Sequence, residues 1–159
     1  MSTYLPGEYA MSFIGALEDR MAICELIDSY GDAVSRNSAK DWGENWAVDA
    51  VWNLNLPNLP KVEGRAAIVA LWVQAMSAYE WVLMTAKAGE IIVSGDAGTG
   101  RFYTSELTRL KGGEEQRIAG RYDDTYVKSG GRWYFKSRTY KMLHIQSLGV
   151  KVTAEVYTH

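Results

Sequence analysis

From residue 81 to residue 145 the apolar residues alternate with polar ones. Three short stretches interrupt the alternation: Ser94-Gly95-Asp96, Lys111-Gly112-Gly113-Glu114-Glu115 and Lys128-Ser129-Gly130-Gly131-Arg132. Each is turn chemistry, with glycine supplying the positive φ that tight hairpins need. The pattern predicts four long antiparallel strands, near 81–94, 97–110, 116–128 and 132–145. A strand of about twelve residues spans roughly 40 Å, nearly the full width of a domain of this size. Strands that long must bend, and a bent sheet has a concave side to be filled or left hollow.

The N-terminal half follows a different period. Leu17, Met21, Cys24, Ile27, Tyr30 and Val34 recur at three- and four-residue steps, which predicts an amphipathic helix over 17–34. The polar run Ser35–Trp42 ends it, and a short second helix carries Trp42 and Trp46. An extended segment, Ala50–Leu56, places Trp52, Leu54 and Leu56 on one face before Pro57 and Pro60 break it. Gly64–Ser77 reads as a third helix with Ile68, Leu71, Trp72 and Ala75 inward. Helices first and a strand meander second make an α+β fold. Its curved antiparallel sheet, closed by the N-terminal helices, leaves a cone-shaped cavity of the kind that holds small ligands. The expected organisation is an arm over 1–16, where Pro6, Gly7 and Gly15 spoil any period, one cone domain over 17–145, and a tail over 146–159.

Charge and cysteine content exclude several functions. Seventeen basic and nineteen acidic residues leave a formal charge of −2 and no basic stripe, so nucleic acid is not an expected partner. Cys24 is the only cysteine, so there is neither an intrachain disulfide nor a cysteine metal cluster. Asp28 and Asp32 lie one helical turn apart, but no histidine accompanies them, and no metal or other cofactor is expected. The glycines of Gly95–Gly100 lead into a strand, leaving no helix dipole to cradle phosphate. No apolar run reaches membrane-spanning length and the first residues do not form a signal peptide, which makes a cytoplasmic location the expectation. Six Trp and ten Tyr, by contrast, are a heavy aromatic load, suited to lining a pocket.

This element order, with the phrases IVSGDAGTGRFY and GRYDDTYVKSGGRWYFKSR, resembles the SnoaL-like branch of the nuclear transport factor 2-like superfamily. It is similar to scytalone dehydratase and to hexachlorocyclohexane dehydrochlorinase. The resemblance covers residues 17–145 and implies a cystatin-like α+β barrel. Those enzymes use a His base supported by an Asp; here the Asp place falls on Ser35 and the His place on or beside Leu83. Their His–Asp chemistry is therefore not expected. Relatives also assemble through the outer face of the sheet. Here Tyr103, Tyr126, Trp133 and Phe135 are assigned to that face, implying a homo-oligomer, a trimer or a dimer.

Matching strand parity to the relatives' cavity selects Thr104 and Glu106 on one strand, and Tyr122 with Asp124 on the next. The last strand offers Arg138, Tyr140, Met142 and, nearest the mouth, His144; Trp52 and Tyr30 join from the edge strand and first helix. Glu106, His144 and Tyr30 are the candidate catalytic groups. Arg138, Tyr140, Tyr122, Trp52, Thr104 and Met142 are the candidate substrate-binding groups. A carboxyl among aromatic walls gains proton affinity and becomes a competent base. Arg138 is expected either to pair with it or to bind an anionic oxygen. The competing reading makes Glu106 and Arg138 a purely structural ion pair.

The function these residues imply is a cofactor-independent lyase, dehydratase or isomerase acting on a small aromatic compound. A polyketide, a phenol or a lignin-derived diaryl compound would suit, with loss of water or formaldehyde. The alternatives are a non-catalytic binder of a small hydrophobic ligand and an accessory subunit resembling the small subunit of ring-hydroxylating dioxygenases.

Overall fold

The computed structural model describes residues 12–56 and 58–149. In chain order the elements are β1 (Phe13–Ile14), α1 (Leu17–Ser35), α2 (Ala39–Glu44), β2 (Trp46–Leu56), β3 (Leu59–Glu63), α3 (Arg65–Met76), β4 (Tyr79–Ser94), β5 (Ala97–Leu110), β6 (Glu115–Ser129) and β7 (Arg132–Gly149). All strands join one curved, unclosed sheet in the order β1-β4-β5-β6-β7-β2-β3. The four long strands form the expected antiparallel meander. At its flanks the sheet turns parallel, where β1 pairs with β4 and β2 with β7.

Local physics explains where the elements depart from the sequence reading. Trp46 opens β2 instead of belonging to the second helix, because pairing with Phe135 carries its ring into the core. Where the prolines signalled a break there is an additional short strand, β3, with Pro60 as its second residue. Pro60 is tolerated there because β3 is the sheet edge, where a missing N–H breaks no ladder. The buried stripe of α1 consists of Ile23, Leu26, Ile27, Tyr30, Ala33 and Val34. Leu17 and Met21, placed in that stripe by periodicity, are exposed at the helix start. The expected arm and tail fall largely on residues 1–11 and 150–159, outside the described residues.

Bulges decide which face each long strand presents. β7 has 18 residues and its partner β6 has 15. The three extra residues on β7 are Lys136, Leu143 and Leu148, each skipped in the pairing register. Every bulge bends the strand and exchanges its inward and outward sides. Hence Trp133 and Phe135 point inward before Lys136, Arg138, Tyr140 and Met142 between Lys136 and Leu143, and Ile145 beyond it. β4 behaves likewise at Glu80 and Gly89. β5 and β6 are regular against each other, and their even-numbered residues face the helices throughout.

This register overturns most of the proposed outer aromatic face. Tyr126, Trp133 and Phe135 lie in the core at 2%, 2% and 0% exposure, and only Tyr103 remains outside. Tyr126 sits on an even, inward position of β6, and the Lys136 bulge carries the other two rings inward.

Candidate active site

The helices do not fill the concave side completely. A cavity of about 260 Å³ remains between α1, α3, β2 and the inner faces of β4–β7. Its wall is built from apolar side chains such as Val34, Trp72, Met76, Val82, Met84 and Ile118. Polar character enters through Glu106 and the phenols of Tyr30, Tyr79, Tyr122 and Tyr140. Of the residues selected from sequence, Tyr30, Trp52, Glu106, Tyr122, Tyr140 and Met142 line this space. Met142, half-exposed, marks the open end, and Tyr30 and Tyr122, almost fully buried, mark the inner end.

Glu106 stands on β5 between Met84 and Ile118, its cross-strand neighbours on either side. Among such neighbours the charged carboxylate loses hydration without gaining a cation. Burial accordingly raises its pKa to about 7, against a small opposing pull from the Thr104 hydroxyl. Thr104 itself is buried and does not line the cavity. The sequence reading placed it against substrate; the structure places it behind the wall.

The tyrosines form a connected group. The hydroxyls of Tyr30 and Tyr122 lie 3.4 Å apart, and the rings of Tyr122 and Tyr140 have centroids 4.9 Å apart. Burial raises the pKa of Tyr30 and of Tyr140, so both remain protonated donors. Gly120 makes room for this arrangement. A Cβ there would stand 2.5 Å from Cε2 of Tyr140 and 2.8 Å from Oγ1 of Thr104. Any side chain at 120 would push Tyr140 out of its place in the wall.

Arg138 occupies a different position from the one expected. It is fully buried and does not line the cavity, and its Nε donates to Oδ1 of Asp124 at 3.0 Å. Neither Glu106 nor a ligand in the cavity meets it. Asp124, expected at the edge of the cavity, is its buried partner and also accepts from the Tyr126 hydroxyl at 3.2 Å. His144 is displaced as well. It pairs with Ala119, whose neighbours Ile118 and Gly120 face inward, so His144 lies on the outer face of the sheet. The Leu143 bulge is the cause.

At the end of α1, Ser35 forms a structural clip. The Ser35 hydroxyl accepts from the Met84 N–H at 2.9 Å and donates to Gly31 O at 3.0 Å. It thereby ties the end of α1 to β4. Leu83 points outward, and Met84 beside it presents a thioether to the cavity. Ser35→Ala leaves a strand N–H without its partner and is expected to cost about 1–3 kcal/mol. Urea unfolding measures this, and an unchanged midpoint would show that water replaces the hydroxyl.

Tyr79 was missed in the sequence. It pairs with Leu110 and turns inward because Glu80 is bulged, so counting back by twos from Val82 skips it. Its position directly after α3, among other aromatics, was the available signal.

Of Asp28 and Asp32, the latter bonds Arg36 at 2.8 Å on the exposed face of α1. Among the described residues, no helix is long and apolar enough to cross a membrane.

Solved structures with this geometry are numerous. A type 2 hexachlorocyclohexane dehydrochlorinase aligns with a TM-score of 0.76 at 20% identity, covering 87% of this chain and 95% of the other. A candidate scytalone dehydratase from Novosphingobium aromaticivorans gives 0.75 at 20% identity, covering 85% and 91%. A candidate aromatic ring hydroxylase from the same organism gives 0.73 at 22% identity, covering 84% and 95%. At these identities the likeness is one of fold. No curated protein matches the chain by sequence. The SnoaL-like domain model matches residues 15–139, which span both the helices and the cavity-forming strands, and the chain belongs to that family.

Proposed function

We propose that this protein is a cofactor-independent lyase or isomerase that acts on a small aromatic compound, with Glu106 as the general base. One observation carries this reading: a carboxyl whose pKa is raised to about 7 lines a cavity otherwise built of apolar and aromatic side chains. Such a group is half ionised near neutral pH and strong enough to take a proton from a weakly acidic C–H or O–H. Tyr30, Tyr122 and Tyr140 are placed to donate to the oxygen on which charge develops. Loss of water or of formaldehyde from a phenolic or diaryl compound fits this set of groups. The dehydratase and dehydrochlorinase named among the structural neighbours favour an elimination.

The test is a panel of uncharged aromatic compounds carrying a hydroxyl or hydroxymethyl leaving group, followed by absorbance and by formaldehyde release. For any compound turned over, kcat/KM should rise with pH and level off with an inflection near the value of Glu106, because the base works ionised. Binding across the panel without turnover would favour the other reading, a carrier of a small hydrophobic ligand, which the apolar wall also supports. His144→Asn should leave kcat/KM within about twofold of wild type. A loss of a hundredfold would restore His144 to the site. We further propose self-association into a trimer through the outer sheet face, where Leu83, Tyr103 and Leu143 are exposed; a monomer at micromolar concentration in sedimentation equilibrium would refute it.

A further inference from the structure

Among the described residues, the cavity wall contains no cationic side chain, and Glu106 is its one carboxyl. An anionic substrate would enter against a carboxylate with nothing to pair its charge. Yet a base reaction leaves negative charge behind on the substrate, and something must hold it. Arg138 lies on the far side of the aromatic wall, against the rings of Tyr122 and Tyr30. Its Cζ lies 3.7 Å from the ring centroid of Tyr122 and 4.2 Å from that of Tyr30. Phe135 at 4.0 Å and Phe102 at 4.3 Å complete a cage of ring faces around it.

Asp124 engages only Nε, while Nη1 and Nη2 are buried with no hydrogen-bond partner. Much of the guanidinium charge therefore faces aromatic rings. A cation against a ring face draws electron density towards itself. In a phenol that density comes partly from the oxygen, which makes the O–H a stronger donor. The two rings closest to the guanidinium among the tyrosines belong to the one hydroxyl pair in the cavity, Tyr30 and Tyr122.

We infer that Arg138 is a positioning residue that acts through these rings, making the Tyr30–Tyr122 hydroxyl pair the anion-stabilising end of a site that admits only uncharged substrates. The inference rests on the reading of Glu106 as base. The substrate's X–H bond breaks, the proton passes to a Glu106 carboxylate oxygen, and the electron pair stays on the substrate. It comes to rest on an oxygen that accepts from the Tyr30–Tyr122 pair. Charge thus forms only after the molecule is inside, where preorganised donors are most effective.

The probes are fluorinated phenols of rising acidity, each still protonated at about pH 6, and fluorobenzenes of matching shape. Their affinities are read from tryptophan fluorescence, since Trp52 and Trp72 line the cavity. At about pH 6, wild type is expected to bind the most acidic phenol roughly tenfold more tightly than the least acidic. In the Asp124→Asn/Arg138→Met double variant that gradient should shrink to about twofold, with fluorobenzene affinity unchanged within about twofold. Loss confined to acidic phenols cannot arise from a general packing defect. A gradient that persists in the double variant overturns the inference, as does equal loss of phenols and fluorobenzenes in a folded protein. If the double variant does not fold, Tyr30→Phe/Tyr122→Phe keeps the ion pair and removes only the hydroxyls; an undiminished gradient there is equally fatal. Glu106→Gln separates this inference from the proposed activity. Turnover read in it tests the base alone, and should disappear, whereas the gradient read in the double variant tests Arg138. A gradient that vanishes in Glu106→Gln but survives in the double variant refutes the role of Arg138 and leaves the base reading intact.

Discussion

Glu106→Gln should abolish turnover, by about 10²- to 10⁴-fold, while ligand affinity stays within about tenfold. The amide keeps the shape of the carboxyl and its place between Met84 and Ile118, and removes only the capacity to take a proton. The same substitution should stabilise the fold at alkaline pH. In wild type, the pKa of Glu106 rises from 4.5 to about 7 on folding, so the native state holds a proton that the unfolded chain releases. That proton linkage is fully favourable below about pH 4.5 and is lost as pH climbs through about 7. At pH 8 the Gln variant should exceed wild type by up to about 3 kcal/mol, with no advantage near pH 4. Denaturant unfolding at the two pH values measures the difference. If turnover survives, Glu106 is not the base; if stability falls equally at both pH values, its role is packing.

Arg138→Met should destabilise the protein by about 3–5 kcal/mol. The single change leaves the Asp124 carboxyl buried with the Tyr126 hydroxyl as its remaining side-chain partner. It also empties the ring cage of its cation. Burial already pushes Asp124 up and Arg138 holds it down, so without the guanidinium its carboxyl will hold a proton to still higher pH. Adding Asp124→Asn removes the stranded charge and should recover much of the loss, because a buried pair contributes little beyond the cost of breaking it. A single variant as stable as wild type would show that water reaches Asp124. This is the structural ion pair that sequence reasoning allowed for, with a different partner.

How far the site was legible depends on strand regularity. On β5 and β6 the period-two pattern runs without interruption, and matching it to the relatives' parity selected Glu106 and Tyr122, which line the cavity. On β7 the same reading holds only between Lys136 and Leu143, where it selected Tyr140 and Met142. Outside that window it put Trp133 and Phe135 outside and His144 inside, each the reverse of what the fold does. Nothing in the local sequence marks Lys136 or Leu143 as a bulge. Both arise because an 18-residue strand must follow a 15-residue neighbour around a bend. Arg138 faces inward as predicted, but whether an inward residue meets the cavity or the packed core depends on its depth in the cone.

The amino-acid sequence by itself determined the α+β order and the four long strands with their turns. These follow from periodicities of 3.6 and 2 and from glycine at the hairpins, all of which are local properties of the chain. Only the tertiary structure decided that Arg138 joins Asp124, that Ser35 clips α1 to β4, and that His144 looks outward. Those outcomes depend on pairing register and on how deeply each residue sits beneath the helices. Both are set by contacts between segments far apart in sequence.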